Sequence, residues 1–252
     1  MKTIKIMTTT ILIASFSILS SARVYAQTEK SYSDTEVKKM ASDKFKEGIL
    51  PLGDKKYVTD GPKKGFIYLC NVRSAESEGG AQKAGSWINE SDGTWNINKK
   101  ISVLGSVAWK NAQFKMATED GERVFNGNNL PINHNTGTFP VTSNDPAYQI
   151  DRNPNSIQEQ TLSLSVPENP EFGDEPSCTS GEVGIANSGA MIYNGFDALN
   201  RDAVAREIQD SCSGHPQREG QYHYHGISSC FKDILSNVCS YVSIFLSSIC
   251  VA

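Results

Sequence analysis

From Gly65 onward, short runs of β-branched and aromatic residues alternate with turn-forming clusters, and sustained helical periodicity is scarce. "GFIYLCNV", "GTWNIN", "ISVLGSVAW" and "FKMATEDGERVF" each read as strand, with Asp120-Gly121 inside the last as a hairpin signal. "TGTFPVT", "QTLSLSV" and "EVGIANSGAMIY" continue that texture, separated by the loops "SNDPAYQIDRNPNS" and "PENPEFGDEPS". The second loop is acidic but lacks the alternating oxygen spacing of a calcium loop, so it reads as solvated. One segment breaks the pattern. "NRDAVAREIQD" predicts a helix, with Asn200 as cap, Val204 and Ile208 on one face, and Gly214 and Pro216 blocking its continuation. The chain is therefore expected to form a single mainly β, sandwich-like domain over residues 61–230, with one short helix near its end.

The ends differ in texture. Lys2 and Lys5, the apolar run "IMTTTILIASFSIL" and the small residues of "VYA" before Gln27 read as an export signal over 1–26, cleaved after Ala26. Residues 27–60 form a charged leader in which Val37, Met40 and Phe45 share one face of a weak helix. Loss of Lys2, Lys5 and Arg23 with the signal moves the net charge from -4 to -7, and no basic stripe interleaved with aromatics offsets it. That balance argues against nucleic acid as a partner. A secreted or periplasmic protein with no stable membrane span after cleavage is the expectation.

The chain has six cysteines and no CxxC, which in an oxidising compartment favours disulfides over thiolate metal ligands. Cys212 and Cys230 bracket the stretch "GQYHYHG" and are the first expected pair. In an extended strand His223 and His225 point to one side, and Tyr222 and Tyr224 to the other. Two imidazoles on one face suit adjacent positions on a metal ion. The remaining histidines are His134, in "LPINHNTGTFP", and His215, in "SGHPQREG". His134 is the expected third ligand and His215 a further one. Nitrogen ligands of this kind suit copper or zinc, and non-haem iron if a carboxylate joins them. Tyr222 and Tyr224 are expected to pack, with a phenol near bound water as the alternative, while Asn133, Asn155 and Asp210 are candidates for orienting imidazoles. With no Walker loop and no GxSxG elbow, the reading is a metal-binding protein. A metalloenzyme with an open coordination position and a metal-free structural domain are the alternatives.

"SGAMIYNGFDALNRDAVAREIQDSCSGHPQREGQYHYHGISSC" resembles the core of the YHYH domain family, exported proteins named for that tetrapeptide. "LPINHNTGTFP" and "RNPNSI" are similar to two further motifs of that family. The resemblance spans about Gly65 to Cys230 and implies an exported β-rich domain, without a reaction. Family members continue past the tetrapeptide into a stretch resembling "GYALDGFPIYG", whereas this chain continues into "FKDILSNVCSYVSIFLSSICVA". The expectation is a truncated or frame-shifted reading over 231–252, with a buried final strand as the alternative. Cys239 and Cys250 then read as accidental thiols, which leaves Cys70 and Cys178 as a second bridge.

Overall fold

The computed structural model describes residues 48–74, 79–171 and 173–231. All lie in the compact unit Met40–Ala252, and the other unit, Met1–Lys39, is outside them. The expected signal, the helix face of Val37, Met40 and Phe45, and the tail beyond Phe231 with Cys239 and Cys250 therefore fall outside the described residues.

The described chain is mainly β. In chain order its strands are β1 (Ile49–Pro51), β2 (Tyr57–Val58), β3 (Ile67–Tyr68), β4 (Ile88–Asn89), β5 (Thr94–Asn96) and β6 (Phe114–Glu119). They continue as β7 (Glu122–Gly127), β8 (Leu162–Pro167), β9 (Glu182–Ile185), β10 (Met191–Tyr193), β11 (Gly214–Pro216) and β12 (Tyr222–Tyr224). Among the described residues a single short α-helix, α1 (Ala203–Arg206), stands between β10 and β11. These strands make four small sheets, ordered β1-β5-β4, β2-β3, β6-β7-β8 and β11-β12-β10-β9. Among the described residues no helix is long and apolar enough to cross a membrane.

Local chemistry explains the clearest elements. β6 and β7 join through Asp120 and Gly121, whose φ values of 52° and 80° are the two positive angles that a tight hairpin turn demands. On β8, Leu162, Leu164 and Val166 are half-buried while Ser163 and Ser165 are exposed, the period-two alternation of a one-sided strand. "ISVLGSVAW" and "TGTFPVT", expected as strands, instead run as irregular chain with one isolated bridge between them. They are tied by paired hydrogen bonds between Val107 and Thr136 and by Thr138 N–H to the Leu104 carbonyl at 2.8 Å. The apolar positions there serve the core without a regular ladder: Val103 and Val141 are both buried.

Two apolar clusters hold these pieces together. The first gathers Leu52, Trp87, Trp95, Val103, Val141, Ala147, Ala205 and Ile208. The second gathers Leu130, Ile157, Ala186, Ala190, Ile192, Tyr222 and Tyr224, and Phe139 packs against both. Full burial of each large apolar side chain contributes about 1.5–3 kcal/mol. Leu52 lies in the first cluster and Leu50 packs against it, so β1, paired with β5, and β2, paired with β3, join the strands of the domain although both fall in the segment read as a leader from sequence. Disulfides Cys70–Cys178 and Cys212–Cys230 span separations of 108 and 18 residues.

The helix expected over Asn200–Asp210 is much shorter than its pattern suggests. Asn200 sits at φ 58° and exchanges hydrogen bonds with the backbone of Arg73, so Asp202 becomes the cap, its carboxylate accepting from Ala205 N–H at 3.1 Å. One turn later Glu207 is extended, with ψ 145°. The chain beyond is claimed by distant partners, since Ile208 N–H donates to Asp151 and the Gln209 carbonyl accepts from Val103 N–H at 2.9 Å. Tertiary hydrogen bonds thus end the helix before the sequence stop signals are reached.

Candidate metal centre

The site begins with a hairpin. β11 and β12 pair antiparallel, with Gly214 opposite Tyr224, His215 opposite His223 and Pro216 opposite Tyr222. Gly220 closes the connecting turn at φ 85°, where a β-carbon would also strike the side chain of Gln158 at 2.5 Å. Gly214 serves space instead: a β-carbon there would lie 2.2 Å from the Tyr222 ring and hydroxyl. On its other edge β12 runs parallel to β10, with Met191 opposite His223. β11 and β12 are buried throughout and β10 is buried at Met191 and Ile192, so the sheet frames the side chains that leave its two faces.

On one face His215, His223 and His225 converge, with one ligand nitrogen from each lying within 4.8 Å of the others. All three are buried, at 3%, 3% and 6% exposure. His223 Nδ1 donates to the Gln221 carbonyl at 3.2 Å and His225 Nδ1 donates to the Asn194 carbonyl at 2.6 Å. A carbonyl only accepts, so these contacts place the proton on Nδ1 and leave each Nε2 with a lone pair. Those two Nε2 atoms face each other at 3.0 Å. The Tyr193 ring stacks on His223 with centroids 4.1 Å apart and meets His225 edge-on, forming the outer wall. Its phenol is pushed up to about 12 by burial and by the charge of Glu182.

Burial holds all three histidines below their ordinary value. For His215 burial is the largest cause, followed by repulsion from His223 and His225. For His223 burial again leads, then repulsion from His225, and the Gln221 hydrogen bond opposes them only in part. His225 is brought to about 4 by burial, against the opposing Asn194 hydrogen bond and the charge of Asp197. The imidazoles are therefore neutral at physiological pH, the protonation state in which histidine binds metals.

A carboxyl group completes the cluster. Glu207, the first residue after α1, is buried, and its Oε2 lies 3.3 Å from His225 Nε2 and 3.5 Å from His215 Nε2. Neither Glu207 Oε2 nor His215 Nε2 has a hydrogen-bond partner. Burial pushes the carboxyl well above its ordinary value, and the charges of Asp197 and Asp151 add to that. On the far side of the His215 ring, Asn153 Nδ2 stands 3.5 Å from Nδ1 while donating to the Pro216 carbonyl. The neighbouring residue anchors the helix: Arg206 pairs with Asp54 and Glu90, so the segment carrying Glu207 is fastened to the start of the domain.

The opposite face belongs to the tyrosines, and His134 is found there. Its Nδ1 donates to the Asn135 carbonyl at 2.9 Å, so Nε2 accepts from the Tyr224 hydroxyl at 2.6 Å, and that hydroxyl also meets Ser188 Oγ at 2.9 Å. The placement differs from the expectation that His134 would join His223 and His225 ahead of His215. His215 stands with His223 and His225 because β11 is the pairing partner of β12, whereas His134 faces the side to which Tyr224 points. His134 also lies near Cys212 and Cys230, but their sulfurs are bonded to each other. Tyr222 and Tyr224 are fully buried in the second apolar cluster, where they pack and touch no imidazole of the triad through their hydroxyls.

The residues expected to orient imidazoles are placed elsewhere. Asp210 is on the tyrosine side, accepting from Tyr222 Oη at 2.9 Å and from the backbone of Gly137, Cys212 and Gly214. Asn133 is exposed, and Asn155 reaches toward the Pro216 carbonyl at 3.5 Å. The groups that do surround the triad are Glu207, Tyr193, the Asn194 carbonyl and Asn153. Glu207 falls within the segment expected as a helix and was not singled out there as a site residue.

These distances suit a metal ion. Bonds of 2.0–2.1 Å in a tetrahedron set ligand atoms about 3.3–3.4 Å apart. The Glu207 contacts of 3.3 and 3.5 Å and the His223 to His225 contact of 3.0 Å bracket that spacing. No family model, curated protein or solved structure matches the chain.

Proposed function

We propose that this is an exported, YHYH-type metal-binding protein that holds copper or zinc through His215, His223 and His225. The observation that carries the reading is the convergence of three buried, neutral imidazoles, two of them with Nε2 lone pairs turned toward each other. Opposed lone pairs repel, and a cation between them converts that repulsion into bonding. Export is supported by the two disulfides, which persist in oxidising compartments. The family placement is supported by the tetrapeptide, whose two residue types serve the two faces of β12. The depth of the site favours retention of a metal over turnover of a substrate, because a catalytic centre keeps a position open to solvent.

The test is a melting experiment on protein stripped with a chelator and then reloaded with zinc or copper. At a free metal concentration of 100 times Kd, binding adds about 2.7 kcal/mol, which for a domain of this size raises Tm by about 5–11 °C. The His223→Ala/His225→Ala double variant should show no such rise. Equal melting temperatures with and without both metals would overturn the proposal.

A further inference from the structure

Resting on that reading, we infer that Glu207 is the fourth ligand and that the centre is a closed site of three nitrogens and one oxygen, built for a divalent ion. Among the described residues, Glu207 is the one acidic side chain whose carboxylate oxygen lies against the Nε2 atoms of two triad members, at 3.3 and 3.5 Å. Its Oε2 is buried without a hydrogen-bond partner, as is His215 Nε2, and the two atoms lie 3.5 Å apart. Native structures seldom leave such atoms unmatched, and an ion bound to both resolves them together.

The position of Glu207 is also fixed independently of the histidines. Arg206 is pinned by Asp54 and Glu90, and Glu207 N–H donates to the Ala203 carbonyl at 3.0 Å. The carboxyl is thus delivered by the end of α1, while the imidazoles are delivered by β11, β12 and the residue that follows β12. A hard, anionic oxygen beside three imidazoles favours zinc or another divalent ion over the cuprous ion, which prefers soft ligands and gains little from a carboxylate. One negative charge also offsets half the charge of a divalent ion in a buried setting.

Glu207→Gln keeps the shape and removes the anionic donor. Cobalt(II) serves as the spectroscopic probe and zinc affinity is measured by competition with a chelator. Wild-type protein should bind one cobalt ion with the intense visible bands of four-coordinate geometry. The variant should show weaker, shifted bands as water enters, and its zinc affinity should fall at least roughly tenfold. Its metal-free form should melt at or above the wild-type temperature, because an unmatched buried carboxyl has been removed, whereas a merely structural Glu207 would make the variant melt lower. An unchanged cobalt spectrum and zinc affinity in a folded variant would overturn the assignment of Glu207 while leaving the histidine triad standing. Absence of cobalt and zinc binding by the wild type would overturn both.

Discussion

The two disulfides are expected to divide stability and metal binding between them. Cys212–Cys230 closes a short loop of separation 18 that contains His215, His223 and His225, while Cys70–Cys178 closes one of separation 108 that contains no member of the triad. Loop-closure entropy assigns about 3 kcal/mol to the short loop and nearly 5 kcal/mol, as an approximate value, to the long one. At about 2–4 °C of Tm per kcal/mol for a domain of this size, the double serine variants should melt roughly 6–12 °C and 10–20 °C lower, respectively. Zinc affinity should follow the opposite order. Cys212 precedes β11 by two residues and Cys230 follows His225 by five, so this bridge limits the freedom of the segment that brings the imidazoles together. Scanning calorimetry on chelator-treated Cys212→Ser/Cys230→Ser and Cys70→Ser/Cys178→Ser proteins, with zinc competition on the same samples, reads both orders. If the short-loop variant were the less stable of the two, or if both variants lost zinc affinity equally, the reasoning from loop contents would be refuted.

Single histidine variants separate the two faces of β12. His215→Ala should abolish the zinc-induced rise in Tm, while His134→Ala should leave it intact and cost about 1 kcal/mol through the Tyr224 hydroxyl that loses its acceptor; a reversal of the two phenotypes in the zinc melts would contradict the placement. A pH series tests the Arg206 anchor. Burial alone would raise the Asp54 carboxyl, but its hydrogen bonds and attraction to Arg206 prevail and hold it below its ordinary value. A group with a depressed folded value stabilises the fold above the unfolded carboxyl range, near about pH 4, and loses that contribution as pH falls through the folded value. Asp54→Asn should therefore cost about 1–2 kcal/mol at pH 7, allowing for solvent screening, with the gap to wild type narrowing at pH 3 in urea melts. A gap that stayed constant with pH would show that the charge of Asp54 contributes nothing.

What could be read from the sequence was local, and what could not was decided by neighbours distant in the chain. Asp120-Gly121 specifies its turn with its own backbone, so the hairpin was legible, and the split of "YHYH" into two faces needed only the period of a strand. The third imidazole was a different kind of question. His134 and His215 both sit among turn residues, and the choice between them rests on β11 pairing with β12 in a register that places His215 against His223. Glu207 was hidden within a helix pattern that the structure follows for one turn only, since Asp151 draws the Ile208 amide out of the helical ladder. No periodicity announces Asp151 as that partner.

β12 has both of its faces committed, and to incompatible environments. Tyr222 and Tyr224 are fully enclosed in an apolar cluster, and His223 stands with His215 and His225 on the reverse. Side chains alternate with a period of two, so a slip of one residue would exchange the faces, driving an imidazole into the apolar cluster and phenols out of it. A register that buries the two phenols is therefore the same register that sets His223 beside His215. The four-residue alternation thus acts as a proofreading device for strand register, and on the proposed reading a bound metal would report at the same time that the core is correctly assembled.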